Sequence, residues 1–425
     1  MRYFIAHAEY FITYFLRMQG FYKINHGFLR FLLTFLPLSC MIVLTGVEIN
    51  MNETNMTMIA TAAFGLEGVV ASELKRLGMK DVRGEIGGAR FTGSAADAYL
   101  CNLRLRCADR VLIVLKEREC RSFEELFQFV KSFEWEDLLP LDAKINVSGK
   151  CARSQLMSVR DCQAITKKAI IERLKTIHKR SVFPETGVAY PIEIALHGDV
   201  ARLTLDTSGD ALNRRGYRTW NGEAPLRETL AATLVELSTW RPGMRLHDPC
   251  CGTGTLLIES AFRLSHRAPG LTRHFAMEQF GFFPKEDCAF IKKQCQEDFE
   301  LHRVSGISGS DIDPEALKLA QRHVNQAGLS GRIELTNIPL QQLQLEGEPG
   351  VFLCNPPYGE RLSDRKQCEK LYREMGLLLK RHPGWSLCAI TSDPMFERSF
   401  GRKADKKRRL YNGRLECEFM IFNAI

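Results

Sequence analysis

Asn355-Pro356-Pro357-Tyr358 follows the apolar run Val351 to Cys354 and concentrates unusual chemistry in four residues. Consecutive prolines lack N–H donors and hold φ near −65°, so the chain leaves any strand ladder there with its carbonyls unpaired. Asn355 adds an amide oxygen and Tyr358 a flat ring. Two acceptors beside a stacking face form a receptor for a planar heterocycle with an exocyclic amine. An amine that donates both hydrogens is biased towards a tetrahedral nitrogen, with its lone pair aimed at an electrophile. A chance turn of this composition is a weak competitor, because two further motifs precede it in order.

The first, LHDPCCGTGTLLIESA (246–261), reads as a strand ending at Asp248, a turn through Pro249, Cys250, Gly252, Thr253 and Gly254, then a helix. Glycines let a ligand approach the backbone, and a helix N-terminus favours an anionic group. A nicotinamide fingerprint would place glycine where Leu257 stands, and a phosphate-binding Walker loop would need Gly-Lys-Ser/Thr. The acid before the glycines instead suits a ligand with an amine or hydroxyl; a purely structural turn is the alternative. The second motif, GSDIDPEAL (309–317), again runs strand, acid, helix. Asp311 stands where α/β folds hold ribose hydroxyls, and Ile312 beside it suits an adenine face. Asp313 has the separate task of capping the helix that Pro314 opens.

These turns need strands to position them. After Pro225 the segments LHDPC, GISGSDID, VFLCNPP and SLCAITS alternate with helical patterns in the manner of a parallel α/β sheet. Before about residue 215 the pattern is α+β: MIATAAFGLEGVVASELKRLG (58–78) reads as strand, glycine turn and helix. Strand-like runs lie near 111–115 and 192–196, and helical periodicity spans 123–133 and 163–178. In the last of these, Ile165, Ile170, Leu174 and Ile177 form the expected apolar stripe.

The chain has 425 residues, enough for two to three domains, and its average composition excludes disordered and fibrous classes. Of its net charge of +8, an excess of seven falls between Ser148 and Arg180, where nine Lys or Arg face two acids. Lys150, Arg153, Lys167 and Lys168 there, and Arg214 and Arg215 in NRRGYR, are candidate phosphate-backbone contacts. GRKADKKRR (401–409) is a third basic cluster; a solvated face is the competing reading for each. Fourteen scattered cysteines without metal-ligand spacing point to a reducing, cytoplasmic setting and to no metal. Residues 1–50 do not match the rest: Phe31 to Val47 is uncharged and follows basic residues. Translation from Met51, Met56 or Met58 is the favoured reading of this leader, ahead of a signal or a marginal membrane anchor.

Together the motifs resemble class I S-adenosylmethionine-dependent methyltransferases of nucleobase amines. With DTSGDALNRRGYR (206–218), APLRETLAA (224–232) and KADKKRRLYNGRLEC (403–417), the resemblance narrows to the THUMP-domain 23S rRNA guanine-N2-methyltransferases, the RlmL/YpsC-like group, from about residue 58 onward. It implies a leader at 1–57 outside the fold, a ferredoxin-like segment at 58–115, a THUMP RNA-binding domain at 116–215 and a Rossmann-like domain with a seven-stranded, mostly parallel sheet at 216–425. It implies S-adenosylmethionine near Asp248, Gly252 and Gly254, with Asp311 on the ribose and Ile312 on adenine. Asn355 and the Pro356 carbonyl would hold the guanine amine, with Tyr358 stacked on an extruded base. One departure stands out: Asn337, Pro339 and Gln341 occupy the region where such enzymes place an acid for the adenine amine. A tRNA guanine-N2 enzyme, a DNA adenine-N6 enzyme and a non-catalytic ribosome-assembly factor are the alternatives.

Overall fold

A computed structural model describes residues 55–218, 226–358, 362–413 and 415–424. The hydrophobic stretch 1–50, and with it the question of a signal or anchor, lies outside them. Among the described residues no helix is long and apolar enough to cross a membrane.

Strand β1 (Met56–Thr61) lies between β3 (Gly88–Gly93) and β4 (Arg110–Glu119), antiparallel to both. Met56 and Thr57 pair with Gly93 and Thr92, so the fold begins before Met58, where the expected boundary stood. Helices α1 (Glu67–Arg76) and α2 (Ala95–Arg104) join these strands to the edge strand β2 (Lys80–Glu85) and to β4. Ser94 and Asp97 form a reciprocal capping box that starts α2.

The second part of the N-terminal region contains α3 (Phe123–Lys131), α4 (Trp135–Leu138), β5 (Lys144–Ala152), α5 (Val159–His178), β6 (Ala189–His197) and β7 (Val200–Asp206). It is not a separate sheet. Leu112 to Val114 and Lys116 to Glu119 of β4 pair with β7, with a register shift at Leu115, giving one seven-stranded sheet of order β2-β3-β1-β4-β7-β6-β5. A domain boundary at 115/116 would cut β4 in its middle. The buried stripe of α5 is Cys162, Thr166, Ala169, Ile170 and Leu174; Ile177, expected in it at the last turn of the helix, is 45% exposed.

The C-terminal sheet comprises β8 (Arg245–Asp248), β9 (Ile307–Asp311), β10 (Glu334–Asn337), β11 (Gly350–Cys354), β12 (Ser386–Thr391), β13 (Lys406–Asn412) and β14 (Leu415–Phe422). Its order is β10-β9-β8-β11-β12-β14-β13: the first five run parallel, and β14 is antiparallel to β12. This is the expected Rossmann-like architecture of a class I methyltransferase. β11 and β12 are buried at every position, as strands covered on both faces must be. Helices α6 (Glu228–Leu237), α7 (Thr255–Leu264), α8 (Lys285–Glu297), α9 (Pro314–Gln326), α10 (Leu362–Arg381) and α11 (Phe396–Phe400) complete the domain. Strand order reverses between β8 and β11, which opens a crevice at their carboxyl ends.

Two devices fasten the halves together. The segment between α7 and β9 packs into the N-terminal core: the Gly270 N–H donates to Leu103 O at 2.9 Å, and Phe280 stacks on Tyr190 with ring centroids 4.7 Å apart. A Cβ on Gly270 would lie 2.7 Å from Asn102 O, so this approach needs glycine. The 206–218 motif supplies the second device. Arg215, read from sequence as an RNA contact, is 3% exposed. Its guanidinium donates to the carbonyls of Leu212 and Arg106 and faces Glu259 at 3.6 Å, so it is an internal tie and not an RNA contact. Tyr217 donates to the same Glu259 at 3.0 Å, and Arg106 donates to Phe262 O and Arg267 O.

Candidate active site

Asp248 ends β8, and the chain then turns through Gly252 (φ +50°) and Gly254 (φ +81°) into α7. The Cys251 N–H donates to Ser310 O at 3.0 Å and the Gly252 N–H to Asp311 Oδ2 at 2.7 Å, so the glycine turn is tied to the end of β9. Asp311 Oδ1 accepts the N–H of Asp313 at 3.0 Å, and Asp313 Oδ1 caps α9 by accepting from the Glu315 N–H at 2.9 Å. Asp311 thus has one backbone donor on each oxygen and shapes both turns.

A cavity of about 400 Å³ opens here, within the size range of small-molecule sites. Asp248, Cys250, Gly252, Thr253 and Asn355 all line it, so the glycine turn and the double-proline loop share one space. Asp313, Glu315 and Leu319 of the α9 side and Leu226 and Thr255 also line it. Sequence reading missed these as lining residues, although Glu315 was readable as an acid in the first turn of a helix. Pro249, Gly254, Asp311, Pro356, Pro357 and Tyr358 do not line the cavity, and neither does Ile312, which is 73% exposed.

Asp248 is almost wholly buried, and burial pushes its carboxyl well above the usual range; Asp311 adds to the rise, and the Cys250 N–H opposes it. Burial likewise pushes the Cys250 and Cys354 thiols up, which disfavours the thiolate a nucleophile would need. His247, between Ser308 and Ser310, is pushed down to about 3 by burial and is a neutral structural group.

The double-proline loop is held from beneath. Tyr372 donates to Pro357 O at 2.8 Å, and the Tyr358 hydroxyl donates to Asn355 Oδ1. Among the described residues, the Pro356 carbonyl has no partner. Asn337 spends its amide nitrogen on Asp311 O at 2.9 Å.

The basic candidates differ among themselves. Lys150 pairs with Glu193 at 2.9 Å, Lys167 with Glu185 at 2.8 Å and Arg214 with Asp210 at 3.0 Å. Arg153 is exposed with φ +51°, and Lys168 is exposed with its ammonium 5.9 Å from the Phe127 ring centre. In the 401–409 cluster, Lys407 pairs with Glu397 and Arg409 with Glu416.

Comparison with known families gives three consecutive matches: the RlmL ferredoxin-like domain at residues 57–112, the THUMP domain at 120–206 and the RMKL-like methyltransferase domain at 215–421. YpsC of Bacillus subtilis, named as a proposed RNA methyltransferase, is 39% identical over 365 residues, 85% of this chain and 94% of that protein. The chain belongs to the RMKL-like methyltransferase family. Another RMKL-like relative, ribosomal RNA large subunit methyltransferase K/L of Syntrophotalea carbinolica, is 34% identical over 86% of this chain and 53% of its own length. The chain spans about half the length of that relative. Among solved structures, SMU.472, described as a proposed methyltransferase complexed with SAH, superposes with a TM-score of 0.82 at 40% identity. The match covers 88% of this RMKL-like chain and 99% of SMU.472.

Proposed function

We propose that this protein methylates the exocyclic N2 of a guanosine in large-subunit ribosomal RNA, with S-adenosylmethionine as the methyl donor. The observation that carries the reading is the single cavity shared by Asp248, Gly252, Thr253 and Asn355. The residues present fit the cofactor: a Cβ at Gly252 would meet nothing within 4 Å, so the turn opens onto space, and Asp248 offers a buried acceptor beside it. When bound, the sulfonium supplies an already activated methyl group. Asp248 and the turn at 252–254 hold its amino-acid end. Asp311, with a lone pair left on each oxygen, takes ribose hydroxyls, and exposed Ile312 offers adenine an apolar side.

Asn355 Oδ1 and the Pro356 carbonyl then accept the two hydrogens of the guanine amine. The Tyr358 hydroxyl, which occupies Oδ1 in the resting site, yields that acceptor as its ring stacks on the extruded base. Orientation and proximity supply most of the acceleration such a reaction needs. The proton of the methylated amine passes to water.

Mass spectrometry of nucleosides from rRNA, tRNA and DNA, with the gene present or deleted, tests the reading. N2-methylguanosine missing from 23S rRNA alone supports it. A loss from tRNA, a loss of 6-methyladenine from DNA, or no loss at all would overturn it.

The THUMP surface has its own test. Replacing Arg153 and Lys168 together by alanine weakens RNA binding and lowers the slope of log K against log salt by about 1 per residue removed. Filter binding between low and physiological salt reads it; an unchanged slope would move the phosphate contacts elsewhere.

A further inference from the structure

Phe64 lies in the β1–α1 loop and is 62% exposed, yet the loop that carries it is fixed. Gly65 has φ +86°, its carbonyl accepts from Arg408 at 2.8 Å, and a Cβ there would stand 3.1 Å from Arg409 O. The ferredoxin-like region is therefore clamped to β13, and a large apolar ring is held out towards solvent. Tyr411 of β13 meets it edge to face, with centroids 6.1 Å apart.

The place of this pair matters. β14 runs antiparallel to β12, with Thr391 opposite Glu418, and Tyr411 lies opposite Glu416 one step further out. The β13–β14 turn thus projects from the carboxyl edge of the sheet, the edge that carries Asp248 and Asn355. A small recess of about 50 Å³ lies below, lined by Ala63, Arg227 and Tyr411. Leu226, the residue before Arg227, lines the 400 Å³ cavity, so consecutive residues serve the two spaces. The recess is too small to swallow a base; a base would lie across it.

The charges select the occupant. Arg227 and Arg408 bring positive charge to the rim. The neighbouring acids are already engaged: Asp109 accepts from Thr229 at 2.8 Å, and Glu416 accepts from Tyr411 at 3.0 Å and pairs with Arg409 at 3.2 Å. Exposed rings among cations are how proteins hold unpaired nucleic acid, by stacking on bases and neutralising phosphates.

We propose that Phe64 and Tyr411, flanked by Arg227 and Arg408, form a stacking station for an unpaired RNA base beside the one entering the cavity. The proposal rests on the RNA-methylation reading and gives the ferredoxin-like region a direct part in substrate binding. It also sets the course of the substrate strand, from the double-proline loop across the β13–β14 turn to the β1–α1 loop.

The experiment uses the full chain and two readouts. Steady-state methylation of rRNA from a strain lacking the gene compares wild type with Phe64→Ala, Phe64→Trp and Tyr411→Ala. Phe64→Ala raises KM for RNA about tenfold with kcat unchanged, and Phe64→Trp restores it. Independently, a short single-stranded RNA carrying 5-iodouridine is irradiated with each protein, and adducts are mapped; wild type gives adducts at 62–66 or 408–413, and Phe64→Ala loses them. An unchanged KM in Phe64→Ala, or adducts confined to other segments, overturns the station. If wild type methylates no RNA at all, the functional reading fails, while the adduct map still decides the station.

Discussion

Asn355→Ala lowers kcat for methyl transfer by about 10²- to 10³-fold, the loss typical of removing one preorganised polar group at a reacting centre. Cofactor affinity changes only a few-fold, because the glycine turn, Asp248 and Asp311 are held by their own hydrogen bonds and not by Asn355. The variant loses the acceptor that orients the amine and leaves the Tyr358 hydroxyl without its partner. Single-turnover transfer of a labelled methyl group reads the chemical step, and calorimetric titration with S-adenosylhomocysteine reads binding. A rate within a few-fold of wild type would refute the orienting role. A parallel collapse of cofactor binding would assign Asn355 to the wrong ligand.

Glu259→Ala destabilises the protein by about 3–5 kcal/mol, the usual consequence of removing one member of a buried charge pair. Burial pushes the Glu259 carboxyl up, while Arg215 and Arg106 draw it back down. Alanine leaves the Arg215 guanidinium inside without an opposite charge and the Tyr217 hydroxyl without its acceptor. Denaturant titration followed by circular dichroism measures the change in midpoint. A loss below about 1 kcal/mol would mean that backbone carbonyls alone satisfy Arg215. Arg215→Ala on the same titration should also destabilise, unlike the exposed Arg214→Ala, since surface pairs contribute little.

The three motifs were legible because each joins an apolar strand to a turn with restricted backbone chemistry, and such turns fall at the carboxyl edge of a parallel sheet. Asp248, Asn355 and the glycine turn are therefore found together. Arg215 was misread for a physical reason: its charge is visible in the sequence, but Glu259, 44 positions later, is brought beside it only by the packing of α7. The same limit hides the continuity of β4. Its apolar half reads as a strand, while KERE at its end reads as surface, although that half pairs with β7 and its Glu117 forms ion pairs with Arg202 of β7 and Arg90 of β3. Local pattern fixes an element's kind; its partners are set by residues far away in the chain.

The strand that runs unbroken through both N-terminal modules gives the molecule the character of a caliper with a fixed gap. Neither module can swivel about β4 without breaking a hydrogen-bonded ladder, and Gly270, Phe280 and Arg215 lock the remaining joint. On the function proposed above, an RNA held at one jaw would have to present its target nucleotide at the other. Selection would then fall on the span between two features of the folded RNA, and a single inserted nucleotide between them would be felt as strongly as a change in the target itself.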